Sequence, residues 1–271
     1  MKERTKAGAI VSLVGAIVGI VGVFVAFMLA YEPMMAVELE AGRLDEELIV
    51  RYVIPFLSDI GLIAGVLWAV AVYGFLRKEH WAWTAAVIAN VISLQTGFFA
   101  MIPALSRGLF PVFLVVFLPN LVTYLLLLGY VRQVDKRIIA LSFLSGMTYV
   151  LAFMNGVAST DKLILSGRPL FVAVQRINWV ASIAWGVFTV ALLTRKKWTM
   201  RVGLGAGLLT LTAGVPLAVA TTLEAGRFSM FSPAPMFALL LLIILLVPVT
   251  SKGVTRWLHG PTQTGQVAAG G

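Results

Sequence analysis

With 271 residues, 60% of them hydrophobic and only 12% charged, the chain carries more apolar surface than one water-soluble core can hide; its mean hydropathy of +0.96 points to lipid as its solvent. The absence of cysteine excludes disulfides, thiol catalysis, iron–sulfur ligation and Cys-based zinc sites. The formal charge of +9 comes in short clusters between apolar runs, with no soluble segment to offer it to nucleic acid, so it reads as membrane-topology information.

Lys2, Arg4 and Lys6 precede an apolar run from Ala7 to Ala30, the first expected span. A secretory signal begins the same way, but this run is too long for one and lacks a small-x-small cleavage pattern at Phe27-Met28-Leu29-Ala30, which favours an uncleaved helix. Gly15, Gly19, Gly22 and Ala26 form a ridge of small residues at helical spacing, suited to close approach by a neighbouring backbone. Tyr31 to Val50 sets Glu32, Glu38, Glu40, Asp45, Glu46 and Glu47 against Arg43, and the spacing of Leu39, Leu44 and Leu48 predicts a short amphipathic helix along the membrane surface. Its acids read as a solvated face. The later spans are Tyr52 to Leu76, Trp81 to Pro103, Leu109 to Val131, Ile138 to Val157, Leu170 to Thr194, Val202 to Leu223 and Met236 to Val249. The expected fold is therefore all-α, a polytopic transmembrane helix bundle of eight spans, with residues 251–271 as a disordered tail.

Connectors that fall on one side of such a bundle hold Arg77, Lys78, Arg132, Lys136, Arg137, Arg195, Lys196, Lys197, Arg201, Lys252 and Arg256. Acids are concentrated on the other side, so both termini are expected in the cytoplasm and the protein in the cell membrane. Trp81, Trp83, Trp198 and Trp257 adjoin the basic clusters and read as headgroup anchors. Sliding the chain by 118 residues lays Leu105 on Leu223, Gly108 on Gly226, Phe110 on Phe228 and Phe113 on Phe231. That register is consistent with a parallel 4+4 internal repeat, with residues 1–131 and 132–250 as its halves.

Asp59 stands well inside the second apolar run, one turn after Pro55, and Arg176 stands at similar depth in the sixth, beside Gln175 and Asn178. A lone charge is costly in hydrocarbon, and opposite charges at one level could satisfy each other, so a contact between them is expected. Under the 118-residue shift Asp59 falls one residue from Arg176. Ser58, Asp59, Gln95, Thr96, Asn120, Asn155, Gln175, Arg176 and Asn178 are then candidates to line a cavity for a small solute or ion, open on the side away from the basic clusters. The plainer alternative is that each polar residue is interhelical glue.

No His-Glu-x-x-His, Gly-x-Ser-x-Gly, Gly-x-Gly-Asp or Walker pattern occurs, and Gly203, Gly205 and Gly207 lie inside an apolar run where they serve packing. His80 and His259 fall in charged connectors, so no buried haem ligation, metal site or other cofactor is expected. The reading leans away from an enzyme, although acid–base chemistry by Asp59 on a lipid stays open. Three classes remain: a carrier or channel, a non-catalytic membrane subunit packing with other chains or with its own copies, and a lipid- or isoprenoid-binding membrane protein or enzyme. The bilayer is the partner common to all three, and nucleic acid is the partner of none.

Overall fold

A computed structural model describes residues 4–259, with the side chains of all of these except 44–45, 161–162 and 164–166. Among the described residues every regular element is a helix. These are α1 (Thr5–Glu40), α2 (Leu44–Leu76), α3 (Ala82–Ser106), α4 (Leu114–Val131), α5 (Lys136–Ser166), α6 (Pro169–Leu193), α7 (Thr199–Ala225), α8 (Pro233–Leu246) and α9 (Pro248–His259). The first seven are long and apolar enough to cross a membrane. Helices suit that solvent because each satisfies its own backbone hydrogen bonds.

The eighth apolar run differs from its expectation. α8 has 14 residues, and α9 leaves it at 78°. A 14-residue helix is about 21 Å long, short of a hydrocarbon layer of roughly 30 Å. The cause is local: Val247 is extended at φ −69°, ψ 125°, and Pro248 opens a new helix. Residues 251–259, expected to belong to the tail, are helical in α9, and the Gly260–Gly271 part of that expectation lies outside the described residues.

Tyr31–Val50 also differs. It is not a separate helix on the membrane surface but the continuation of two spans, turned at Ala41–Arg43 where Gly42 takes φ +66°. α1 has 36 residues and α2 has 33, so both outrun a layer of about 30 Å, at about 1.5 Å per residue. Helix-favouring Glu, Leu, Met, Ala and Arg carry helicity on where hydrophobicity stops. The polar link expected after Val157 is likewise helical backbone up to Ser166.

Packing brings α1 against α2 and α4, α2 against α3, and α3 against α4. In the same way α5 packs on α6 and α8, α6 on α7, and α7 on α8. The two rings meet where α3 touches α5 and α6 and α2 touches α5. Close approach inside the rings comes from glycine: a methyl built on Gly19 would lie 2.5 Å from the Gly65 Cα, and one on Gly15 would lie 2.5 Å from the Trp68 ring. Gly203 and Gly207 give the same room to Phe188 and Leu242, whereas Gly205 faces open space.

Two tryptophans lie fully buried at matching places. Trp68 Nε1 donates to Ser93 Oγ at 3.2 Å, and Trp185 Nε1 donates to Thr210 Oγ1 at 2.9 Å. The turns between these helices also match. Arg77, Lys78 and Glu79 donate their N–H groups to the carbonyls of Tyr73, Phe75 and Gly74, as Thr194, Arg195 and Lys196 do to Val190, Leu192 and Ala191. Each turn puts a non-glycine residue in the left-handed region, Lys78 at φ 58° and Arg195 at φ 57°. A side chain there is disfavoured by its Cβ, so Lys78→Gly is expected to raise stability by up to about 1 kcal/mol. Chemical denaturation in detergent reads this out, and a loss of stability would mean that the lysine's contacts outweigh the strain.

The basic connectors gather at one end. Arg4 lies over the Tyr130 ring, Arg132 over Trp83, and Arg195 over Trp257 at 3.7 Å. Burial, and then the nearby Arg132 charge, push the Arg195 guanidinium below its ordinary value. Trp81 and Trp198 are exposed there as headgroup anchors would be. Trp83 and Trp257 instead turn inward, donating Nε1 to the carbonyls of Leu193 and Leu192.

Candidate functional site

Asp59 sits in an exposed stripe of α2 with Tyr52, Phe56, Ile63, Val66 and Val70. Arg176 sits in a matching stripe of α6 with Val172, Val180, Ile183 and Val187. Both therefore face away from the bundle interior. Among the described residues no ion pair joins them. Each charge stands 17 residues before the basic-end terminus of its helix, Leu76 or Leu193, a rise of about 26 Å.

The hydrogen bonds divide the neutral candidates into groups. Near α2 and α3, Ser58 Oγ donates to the Ile54 carbonyl, and Thr96 Oγ1 donates to that of Leu57 at 3.3 Å. Between α3 and α4, Asn90 Nδ2 donates to the Asn120 carbonyl and to Thr123 Oγ1, while Asn120 Nδ2 donates to the Val116 carbonyl. In α5 and α6, Asn155 Nδ2 donates to the Phe231 carbonyl, Gln175 Nε2 to Thr160 Oγ1, and Asn178 Nδ2 to the Val174 carbonyl. Phe99, Phe153 and Trp179 stack edge to face, with successive centroids 4.8 and 4.7 Å apart, across α3, α5 and α6. Most of these side chains bind one element to another or close a turn of their own helix.

Gln95 is different. It is 2% exposed, and neither its Oε1 nor its Nε2 has a hydrogen-bond partner among the described residues. A buried amide left this way costs about 1–3 kcal/mol per unmade partner. Gln95 lines a crevice of about 70 Å³ where the two helix rings meet, walled by α3, α4, α5 and α6. Phe98, Phe117, Leu121, Phe143 and Met147 make it apolar; Tyr124, Ser142, Tyr149 and Thr189 also line it, but their polar atoms and the Gln95 amide contribute almost none of its surface. Three of these hydroxyls are already engaged: Tyr124 Oη with Ser142 Oγ at 2.6 Å, and Thr189 Oγ1 with Ser145 Oγ, outside the crevice, at 2.8 Å. A methyl on Gly146 would meet nothing within 4 Å, which leaves that wall open. Ligand pockets for drug-sized molecules run to roughly 300–1,000 Å³, so this crevice fits one end of a ligand.

Sequence reasoning picked out Gln95 but not Ser142 or Thr189, which line the same crevice. Ser142, Ser145 and Thr148 recur on α5 and Thr189 lies on α6, and that spacing was the available signal. It also missed the charged cluster at the far end, where Glu38, 3% exposed, meets Arg107 Nε at 2.6 Å and Arg43 Nε at 3.0 Å. Arg107 also pairs with Glu46, Glu47 with Arg51, and Arg168 with Glu224.

At the opposite, basic end a wider opening of about 780 Å³ lies between the start of α5, the end of α8 and α9, rimmed by Arg137, Arg195 and Arg256. Comparison with protein-family models, with curated proteins and with solved structures gave no match.

Proposed function

We propose that this multi-pass membrane protein is a carrier or channel for a small solute, which inserts a neutral, hydrogen-bonding end into the crevice beside Gln95. The observation that carries this reading is the buried Gln95 amide, whose donor group and acceptor are unmet among the described residues and which a rotation of the side chain would present to the crevice it borders. A ligand group with an adjacent donor and acceptor, such as a carboxylic acid, an amide or a hydroxyl pair, would complement it. Apolar walls suit the rest of an amphiphile. The crevice offers no carboxylate and no basic side chain, so the chemistry favoured is binding and passage over acid–base catalysis.

In this reading α8 with α9 counts as the eighth crossing, which brings the chain ends to one side, the cytoplasmic one by the rule for basic connectors. The two rings are halves of a duplicated unit. Its register is 117 residues through the α2–α3 and α6–α7 hairpins, matching Trp68 to Trp185 and Ser93 to Thr210, and 118 past the longer α7, matching Gly108 to Gly226. Asp59 then falls on Arg176 itself.

The test is reconstitution. Native mass spectrometry of the purified protein should show a co-purifying small molecule, and Gln95→Leu, which fills the same volume without the amide, should lower its occupancy at least about tenfold. Uptake of that molecule into proteoliposomes should fall in parallel. Unchanged occupancy in Gln95→Leu would leave the amide without a ligand and end the proposal. Because the chain has no cysteine, single introduced cysteines near Arg4 and His259 report the sidedness directly.

A further inference from the structure

We propose that Asp59 of one copy of this chain pairs with Arg176 of a second copy, so that the exposed faces of α2 and α6 form the interface of a homo-oligomer. Three observations lead there. Both charges lie on exposed flanks, each inside a stripe of large apolar side chains: Phe56, Ile63 and Val66 on α2, Val180 and Ile183 on α6. An isolated charge in such a stripe is costly in lipid, and among the described residues neither has an ion-pair partner. Finally, both stand 17 residues from the basic-end terminus of their helices, Leu76 and Leu193. Copies inserted in one membrane with one orientation therefore hold Asp59 and Arg176 at one depth, with opposite sign. An Arg–carboxylate pair formed there can be bidentate, and it gives each charge the partner that it lacks among the described residues of one copy.

The flanking side chains allow the rest of the contact. Ile63 and Val180 each stand one turn nearer the basic end than the charge, so they would meet across the same interface. In hydrocarbon their burial supplies packing, with no hydrophobic drive, and the charge pair supplies specificity. This inference does not depend on the Gln95 crevice.

The experiment uses the full chain in liposomes, with Ile63→Cys and Val180→Cys placed on separate copies. A bifunctional maleimide should give a dimer band when the two are mixed and none, or at least about tenfold less, with either alone. Adding Asp59→Arg to the first copy, or Arg176→Asp to the second, should abolish the band, and mixing both charge-reversed copies should restore it. An unaltered thermal melting profile of each reversed copy shows that the loss is not misfolding. The inference is overturned if no band forms in the mixture, if charge reversal leaves it intact, if the double reversal fails to restore it, or if Leu208→Cys on exposed α7 crosslinks to Ile63→Cys equally well.

Discussion

Arg107→Ala is expected to cost about 3 kcal/mol of stability, a larger loss than any other single charge removal should give. Arg107 follows α3, yet its guanidinium reaches α1 and α2 together, pairing with Glu38 and with Glu46. Glu38 is 3% exposed, so removing Arg107 leaves a buried carboxylate whose one remaining ion-pair partner among the described residues is Arg43. The expense lies in the stranded charge more than in the lost pair. Glu38→Gln combined with Arg107→Gln should therefore cost less than Arg107→Ala, and the comparison is made by equilibrium unfolding in detergent. A loss below about 0.5 kcal/mol for the single change would mean that water reaches the cluster and screens it, as at an ordinary surface pair.

Gly19→Leu is expected to be at least as damaging, through sterics alone. At Gly19 the nearest atoms to an added Cβ are the Gly65 Cα at 2.5 Å and the Gly65 N at 2.9 Å, both backbone. Neither can move aside without shifting α2, so even Gly19→Ala should cost about 1–3 kcal/mol, and leucine more. Gly205→Ala is the control. Its Cβ meets nothing within 4 Å, and alanine favours a helix over glycine by about 1 kcal/mol. Thermal unfolding should move down for the first variant and level or up for the second. Equal effects at both positions would mean that the α1–α2 crossing is looser than its geometry.

Much of this fold is legible in the sequence because a membrane helix announces itself by length of apolar run. Arg77-Lys78 and Arg195-Lys196 punctuate the chain where the helices end. What hydropathy hides is helix that continues beyond lipid: α1 runs on past Glu32 with Pro33 accommodated inside it, and α2 begins at Leu44, the backbone turning only around Gly42. The short α8 is hidden for the opposite reason, because Leu246-Val247-Pro248-Val249 is apolar enough to pass as a span while Val247 and Pro248 turn the backbone.

The candidate site is legible only in part. Asp59 and Arg176 stand out as charges inside apolar runs, but which way a side chain faces depends on the crossing of neighbouring helices, and both turn outward. Gln95 stands out as an amide in an apolar helix, while its surroundings come from three other helices. Glu38 looks solvated among other acids because its partner Arg107 lies 69 residues on.

The ring closure has a consequence for biogenesis. α1 finds α2 and α4 within the first 131 residues, so that ring can assemble in the bilayer while the ribosome is still elongating the later helices of the second ring. The second ring then docks on a finished platform. Synthesis in two instalments keeps either set of four helices from waiting for distant sequence before its glycine and tryptophan contacts form.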